Sequence, residues 1–493
     1  MNSEMKNPYQ PLEEAISADR LETSSEAVAS FQTSNPLLPV CSTPVLAARP
    51  SNAPEVQALV KRSRELGLHL VPVSSSAPHE KGGINCAADY AVVDLSGWKK
   101  IHSIDRRNRV CMVDPGVTYG ELLDALAPHG LTVSLPLAPR RGKSVLAAAL
   151  DREPTTWPNK QWDAGDPIGC LEFVFGTGDL FRTGAAGGPG SIEAQRAGGG
   201  AQKAPLGPSQ TDFHRVLQGA QGAMGIVTWG TLRVELRPSV QRPFLLAADD
   251  LPSLTPFVYQ TQRSGLGEHS FILNRTAAAM LMSSGEPGAF EKIRRSLPAF
   301  ICLQNIAGFE RRAEARLDYQ QKDIMEIAAR AGVELAESIG EVAAADLLAT
   351  ATRPCGEADW RSALAGHCLR IFFLSALDRA PQYVKIMEGL AARRGLAGDR
   401  LGLYLQPVVQ NHGCHFEFMA PFDPNDPGQV SRMRALEAEA VAELSRAGAF
   451  FSRPYGAADP AAFAHNPMNH AILKKIKNIF DPGRTLNPGK FGL

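Results

Sequence analysis

Residues 69–83 read His69-Leu70-Val71-Pro72-Val73-Ser74-Ser75-Ser76-Ala77-Pro78-His79-Glu80-Lys81-Gly82-Gly83. The run His69–Val73 predicts a strand, and a loop of small and hydroxylated residues follows it. Such a loop can turn successive backbone N–H groups and hydroxyls toward a pyrophosphate, where larger side chains would block the approach. The same composition also makes ordinary turns, so its surroundings decide. Upstream, the apolar run Val45–Ala48, then Pro50, the amphipathic stretch Ala53–Leu66 and Gly67 predict strand, turn, capped helix and glycine stop. The fingerprint GxGxxG opening a helix is absent, which argues against a Rossmann nicotinamide site.

Downstream, Tyr90–Leu95, Arg109–Val113, Cys170–Phe175 and Val227–Leu236 predict short strands, with one helix at Tyr119–Ala127. Phe175–Asp179 predicts a hairpin turn, and the glycine-rich Gly184–Gly200 a mobile surface loop. From about Pro243 to Leu444, strands alternate with longer helices such as Arg311–Ala331 and Tyr383–Arg394, a second α+β lobe. The tail holds a predicted helix Asn469–Phe480 and closes on Asp481-Pro482-Gly483-Arg484-Thr485-Leu486-Asn487-Pro488-Gly489-Lys490. The fold class expected is α+β and two-lobed: an extension at 1–44, a first lobe at 45–238, a second or cap lobe at 239–445, and a tail segment at 446–493.

With 493 residues the chain exceeds what a single core serves. Lys plus Arg and Asp plus Glu are 51 each, so no global field selects a nucleic acid or an anionic membrane. The polar start, Met1 to Arg20, lacks an apolar h-region, and no run of eighteen apolar residues occurs; a cytoplasmic protein without a membrane span is expected. The cysteines Cys41, Cys86, Cys111, Cys170, Cys302, Cys355, Cys368 and Cys414 show no CxxC and no metal spacing. Buried thiols are expected, and no metal.

Four further segments follow the Ser-rich loop in order: Asp114-Pro115-Gly116-Val117-Thr118-Tyr119, Gly142-Lys143-Ser144-Val145-Leu146, Gly219-Ala220-Gln221-Gly222-Ala223-Met224-Gly225-Ile226-Val227-Thr228, and Leu486-Asn487-Pro488-Gly489-Lys490. The set resembles the FAD-binding domain of the vanillyl-alcohol oxidase/p-cresol methylhydroxylase superfamily across roughly residues 44–238 and 446–493. Within it the motifs look most like the aromatic-alcohol (4-cresol) branch. Flavoprotein dehydrogenases of 2-hydroxy acids share much of the pattern, especially the Asn-Pro-Gly-Lys ending.

The resemblance implies FAD with its pyrophosphate on Ser74, Ser75, Ser76, Ala77, Pro78, His79, Gly82 and Gly83. It implies further cofactor contacts from Pro115, Gly116, Ser144, Gly222, Gly225, Ile226, Val227, Arg453, Asn487 and Lys490. Tyr119 falls where the branch places a phenol-binding tyrosine, whereas Lys81 and Ser452 stand where two further tyrosines are expected. Arg453 matches the arginine that sets positive charge at the flavin N1 and C2 oxygen, and His415 a histidine of the substrate cavity. His415 and Glu417, two apart on a predicted strand, share a face and can handle a proton together; His412 is near in sequence. Arg370 stands nearest the position that links the flavin covalently in relatives, and arginine cannot form that bond, so non-covalent FAD is expected.

The function implied is hydride transfer to FAD from a small organic substrate, an aromatic alcohol or alkylphenol. The alternatives are a D-2-hydroxy acid dehydrogenase, in which Lys81 and Arg370 would meet a carboxylate, and a flavin-binding electron-transfer subunit without turnover. The expected partners are a small-molecule substrate, an electron-acceptor protein such as a cytochrome or iron–sulfur subunit, and further copies of the chain in a homo-oligomer.

Overall fold

The computed structural model describes residues 9–33, 35–38, 42–80, 88–161, 163, 165–209, 212–410 and 412–493. Lys81, Gly82 and Gly83 of the Ser-rich loop, with Cys41 and Cys86, lie outside them.

The first lobe holds two principal sheets. In one, Leu46–Ala48 and His69–Val73 flank Tyr90–Asp94 in parallel, joined by the crossover helix Ala53–Leu66. Asn52 caps that helix by accepting from the Glu55 N–H, and Gly67 stops it at φ 67°, where other residues are strained. Val56, Leu59 and Val60 of the helix bury against Leu46, Leu70 and Leu486. Within the extension, Leu21–Glu22 pairs antiparallel with Leu46–Ala48 at the edge of this sheet. The second sheet is antiparallel, in the order Ile101–Asp105, Val110–Val113, Ile226–Arg233, Ile168–Val174, Leu180–Arg182.

The stretch 184–200 departs from its expectation. It carries a 3-10 turn, Gly184–Gly187, and a helix, Ile192–Ala197, whose Ser191 cap accepts from the Ala194 N–H. Ile192 and Ala186 pack with Met112, Cys170 and Trp229, so apolar residues hidden in a glycine-rich background anchor it.

The cap lobe is a six-stranded antiparallel sheet in the order Val240–Ala248, Phe300–Gly308, His269–Asn274, Gly402–Val408, Gly413–Phe422, His367–Ser375. Strand alternation sorts its residues. Cys414, Phe416, Phe418, Ala420 and Phe422 enter one core beneath helices Leu251–Arg263, Ala313–Ala331, Ala380–Arg393 and Pro427–Arg446. His415 and Glu417 face the other way.

The tail comes back to the first lobe. Leu70 donates its N–H to Thr485 O at 2.7 Å and accepts from Asn487 N at 2.8 Å, so residues 485–487 run beside the strand before the Ser-rich loop. Lys477, 1% exposed, donates to Ala223 O (2.5 Å), Leu486 O (2.8 Å) and Asp481 (2.5 Å).

Candidate functional site

A cavity of about 310 Å³ is lined by the first lobe's loops and by the part of the cap sheet that carries Tyr404, His415 and Glu417. The first lobe supplies Ser74, Ser75, Pro78 and His79 of the Ser-rich loop, Pro115, and Gly222, Gly225 and Val227 of the later glycine segment. Gly222 adopts φ +77°, and a Cβ there would stand 2.6 Å from Pro72 Cγ, so only glycine lets this turn lie on the loop.

Other residues expected at the cofactor stand behind this wall. Ser76 and Ala77 are exposed at the loop's outer side. Gly116 packs into the carbonyls of Leu95, Ser96 and Trp98, and its missing Cβ serves that contact. Ser144 caps the helix Val145–Leu150 by accepting from Ala147 N while its hydroxyl donates to Pro115 O. Ile226 is core. Asn487 donates to Gln221 O at 2.6 Å and holds the glycine turn, and Lys490 sits buried in the tail.

Tyr119 corrects the sequence expectation. It is 3% exposed, packs with Val117, Leu122 and Leu126, and is not part of the cavity wall. Its helix begins at a capping box between Thr118 and Glu121.

The cap sheet supplies a charged ceiling. Glu417, 1% exposed, accepts from Arg361 Nη2 at 3.1 Å and Arg370 Nε at 2.6 Å. Asp359 stands 3.2 Å from Arg361 and 3.5 Å from Arg370. Burial alone would raise the Glu417 pKa, but the two guanidiniums hold it well below the usual carboxylate range. His415 lies one pleat away; its Nε2 is buried, 3.5 Å from Glu417, and makes no hydrogen bond. Burial lowers its pKa to about 4 despite the carboxylate, so the ring is neutral near pH 7. Tyr404 completes the ceiling with its hydroxyl committed to Gln406 at 2.7 Å.

Arg453 closes one end of the cavity. Its Nη1 is 3.4 Å from Asp151 Oδ2, and its guanidinium lies 4.6 Å from the Phe372 ring centroid. Tyr455 donates its hydroxyl to Asp151 at 2.7 Å. His412 is exposed, bonded to Val409 O, and outside the site.

The sequence reading missed Asp151, Asp359, Arg361, Tyr404 and Tyr455. Two signals were present: Asp151 directly follows the apolar helix of the Ser-Val-Leu motif, and Asp359-Trp360-Arg361 places paired charges just before a strand. Arg140 and Lys143 were also missed; both line the first-lobe side, and Arg140 braces the loop by donating to Ala77 O at 2.7 Å and to Ser76 O.

The donor set suits a dinucleotide. Small residues and two cations, Arg140 and Lys143, face the cavity on the loop side, against Glu153 and a Glu80 whose pKa burial raises. A pyrophosphate meets both the space and the charge it requires there. Among the described residues no cluster could hold a metal ion, and no helix is long and apolar enough to cross a membrane.

Fold and site together define an FAD-binding flavoprotein. The family of FAD binding domains matches residues 44–184. The chain is 24% identical over 462 residues to an uncharacterized FAD-linked oxidoreductase of Mycobacterium tuberculosis, covering 90% of each chain. It is 29% identical over 154 residues to the 4-cresol dehydrogenase [hydroxylating] flavoprotein subunit of Pseudomonas putida, covering 30% of this chain and 28% of that one. It is 23% identical over 279 residues to D-2-hydroxyglutarate dehydrogenase of Stutzerimonas stutzeri, covering 54% and 53%. Among solved structures, substrate-bound p-cresol methylhydroxylase superposes with a TM-score of 0.82 at 17% identity, covering 99% of this chain and 96% of that one. The chain thus carries an FAD-binding domain, has the fold of p-cresol methylhydroxylase, and is an FAD-dependent oxidoreductase.

Proposed function

We propose that the chain oxidises a small hydroxylated substrate that also carries an anionic oxygen, either the phenolate of a 4-hydroxybenzyl alcohol or alkylphenol or the carboxylate of a D-2-hydroxy acid. The observation that carries this reading is His415 Nε2, buried on the cavity wall without a hydrogen bond, 3.5 Å from the Glu417 carboxylate that the Arg361 and Arg370 guanidiniums also contact. FAD, when bound, supplies the acceptor for two electrons and a proton's worth of hydrogen as hydride.

The chain's own residues do the rest. With a carbinol substrate, neutral His415 accepts the hydroxyl proton as the C–H bond breaks and the carbonyl forms; an alkylphenolate loses the benzylic hydride alone and becomes a quinone methide. Arg370, which lines the cavity and shares Glu417 and Asp359 with Arg361, fixes the carboxylate of a hydroxy acid, and Arg361 the oxygen of a phenolate; either contact sets the orientation of the C–H. Arg453 supplies positive charge where negative charge gathers during transfer. The cap sheet excludes water from the step. In this reading FAD is held non-covalently, since Arg370, the residue nearest the position that links the flavin in relatives, cannot form that bond.

Anaerobic mixing of holoenzyme with 4-hydroxybenzyl alcohol, 4-alkylphenols and D-2-hydroxy acids tests the reading, with bleaching of the flavin band as readout. One of these classes bleaches it, and His415→Asn slows bleaching by about 10²–10⁴ while FAD content holds. An enzyme that none of them reduces, or a His415→Asn variant as fast as wild type, overturns it.

A further inference from the structure

A second, smaller cavity of about 70 Å³ adjoins the first. Glu80, Arg370, Arg453 and Tyr455 line both, so these four form the neck between them. The N-terminal segment supplies Leu37 and Leu38, the strand His367–Ser375 supplies Leu369 and Ile371, and the helix Pro427–Arg446 supplies Val441. Asn35 ties this segment down by donating to Glu80 O at 2.9 Å, and Arg434 of the cap donates to Pro36 O at 2.5 Å. The chamber thus has an apolar body closed by chain from both ends of the sequence.

Its polar groups are few and specific. His367, 5% exposed, accepts the Cys368 N–H at Nδ1 (2.6 Å), so in the neutral ring the proton sits on Nε2. That Nε2 is buried with no hydrogen-bond partner. A buried donor left unpaired costs free energy, and a ligand acceptor that meets it recovers that cost. Glu437, also in the wall, has its pKa raised by burial to about 7, which makes it a weak competitor as an anion.

We propose that this chamber receives the non-reacting end of the substrate, a short uncharged apolar group bearing an acceptor oxygen that meets His367 Nε2–H. The assignment rests on the reading of the larger cavity as the reaction site. An apolar tail passes the neck between Arg370 and Arg453, whose charges are met by Glu417 with Asp359 and by Asp151 respectively. A cavity of this size takes several water-sized groups, so the enzyme distinguishes substrates by the length of that tail.

Calorimetric titration of the holoenzyme tests this without relying on turnover. The probes are two series, 4-methyl- to 4-butylphenol and D-lactate to D-2-hydroxyhexanoate, with 4-hydroxyphenyl ketones of matching length. In the series that binds, affinity rises about fourfold per methylene, from about 0.8 kcal/mol per buried CH₂. Val441→Phe abolishes the rise and leaves the shortest member unchanged; His367→Phe removes the extra affinity of the ketone over the alkyl compound. A flat length dependence, a rise that survives Val441→Phe, or no binding by either series overturns the chamber's assignment. Length-dependent binding with no flavin bleaching by any member overturns the reaction assigned to the larger cavity and leaves the chamber's role standing.

Discussion

Replacing Glu417 with glutamine removes the more closely held of the two carboxylates that both cap arginines share. The carboxylate stands 2.9 Å from Arg361 Nε, 3.1 Å from Arg361 Nη2 and 2.6 Å from Arg370 Nε, at 1% exposure. The amide keeps the volume but loses the charge and points N–H donors at a guanidinium. Breaking a buried pair from one side costs about 3–5 kcal/mol, and Asp359, which touches both arginines, puts Glu417→Gln near the low end of that range. If the cap lobe of about 200 residues melts as a unit, about 3 kcal/mol lowers its Tm by roughly 6–12 °C. Differential scanning calorimetry with saturating FAD reads this directly. The companion Glu417→Leu/Arg361→Met replaces charges on both sides and leaves Arg370 with Asp359, so it loses less than the two single changes added. A Tm within roughly 1 °C of wild type for Glu417→Gln, or additivity of the pair, refutes the coupling.

Acid weakens the fold through histidines held neutral: burial lowers His415 and His79 to about 4 and His269 to about 3. The unfolded chain binds protons near 6.5, more than the folded chain does below that pH, so stability is lost as pH falls from about 6.5 toward 4; a Tm constant over that window contradicts it. Arg453→Met lowers the flavin midpoint potential and slows flavin reduction about ten- to a thousandfold with little change in FAD affinity, read by potentiometry and stopped-flow. Lys477→Met frees the Ala223 and Leu486 carbonyls and leaves Asp481 buried without its cation; FAD retained through gel filtration and Tm both fall, and unchanged FAD retention removes Lys477 from the support of the glycine turn. Tyr119→Phe leaves turnover near wild type, because its ring is in the core; a large loss of turnover at unchanged stability returns it to the site.

The first lobe was legible because its signals are local. Ala53–Leu66 ends where the sequence says, since the Asn52 cap, the apolar spacing and Gly67 all lie within the helix's own reach. The strand His69–Val73 and the loop after it were legible for the same reason, and so was the shared face of His415 and Glu417, which follows from strand alternation alone. The ceiling was not. Glu417 meets Arg370 across 47 positions and Arg361 across 56, and Arg453 meets Asp151 across 302. No periodicity links such residues; the antiparallel register that sets Phe372 opposite Glu417 and Tyr404 on its other side brings them together. Tyr119 shows the reverse error. Its motif is real, but what it encodes is a capping box whose first helical residue points into the core, so matching the motif fixed the backbone without fixing where the side chain goes. On the proposed reading, the chemistry that distinguishes this enzyme sits in the cap, where side chains from strands and loops far apart in sequence would orient the substrate and, beyond the neck, measure its tail.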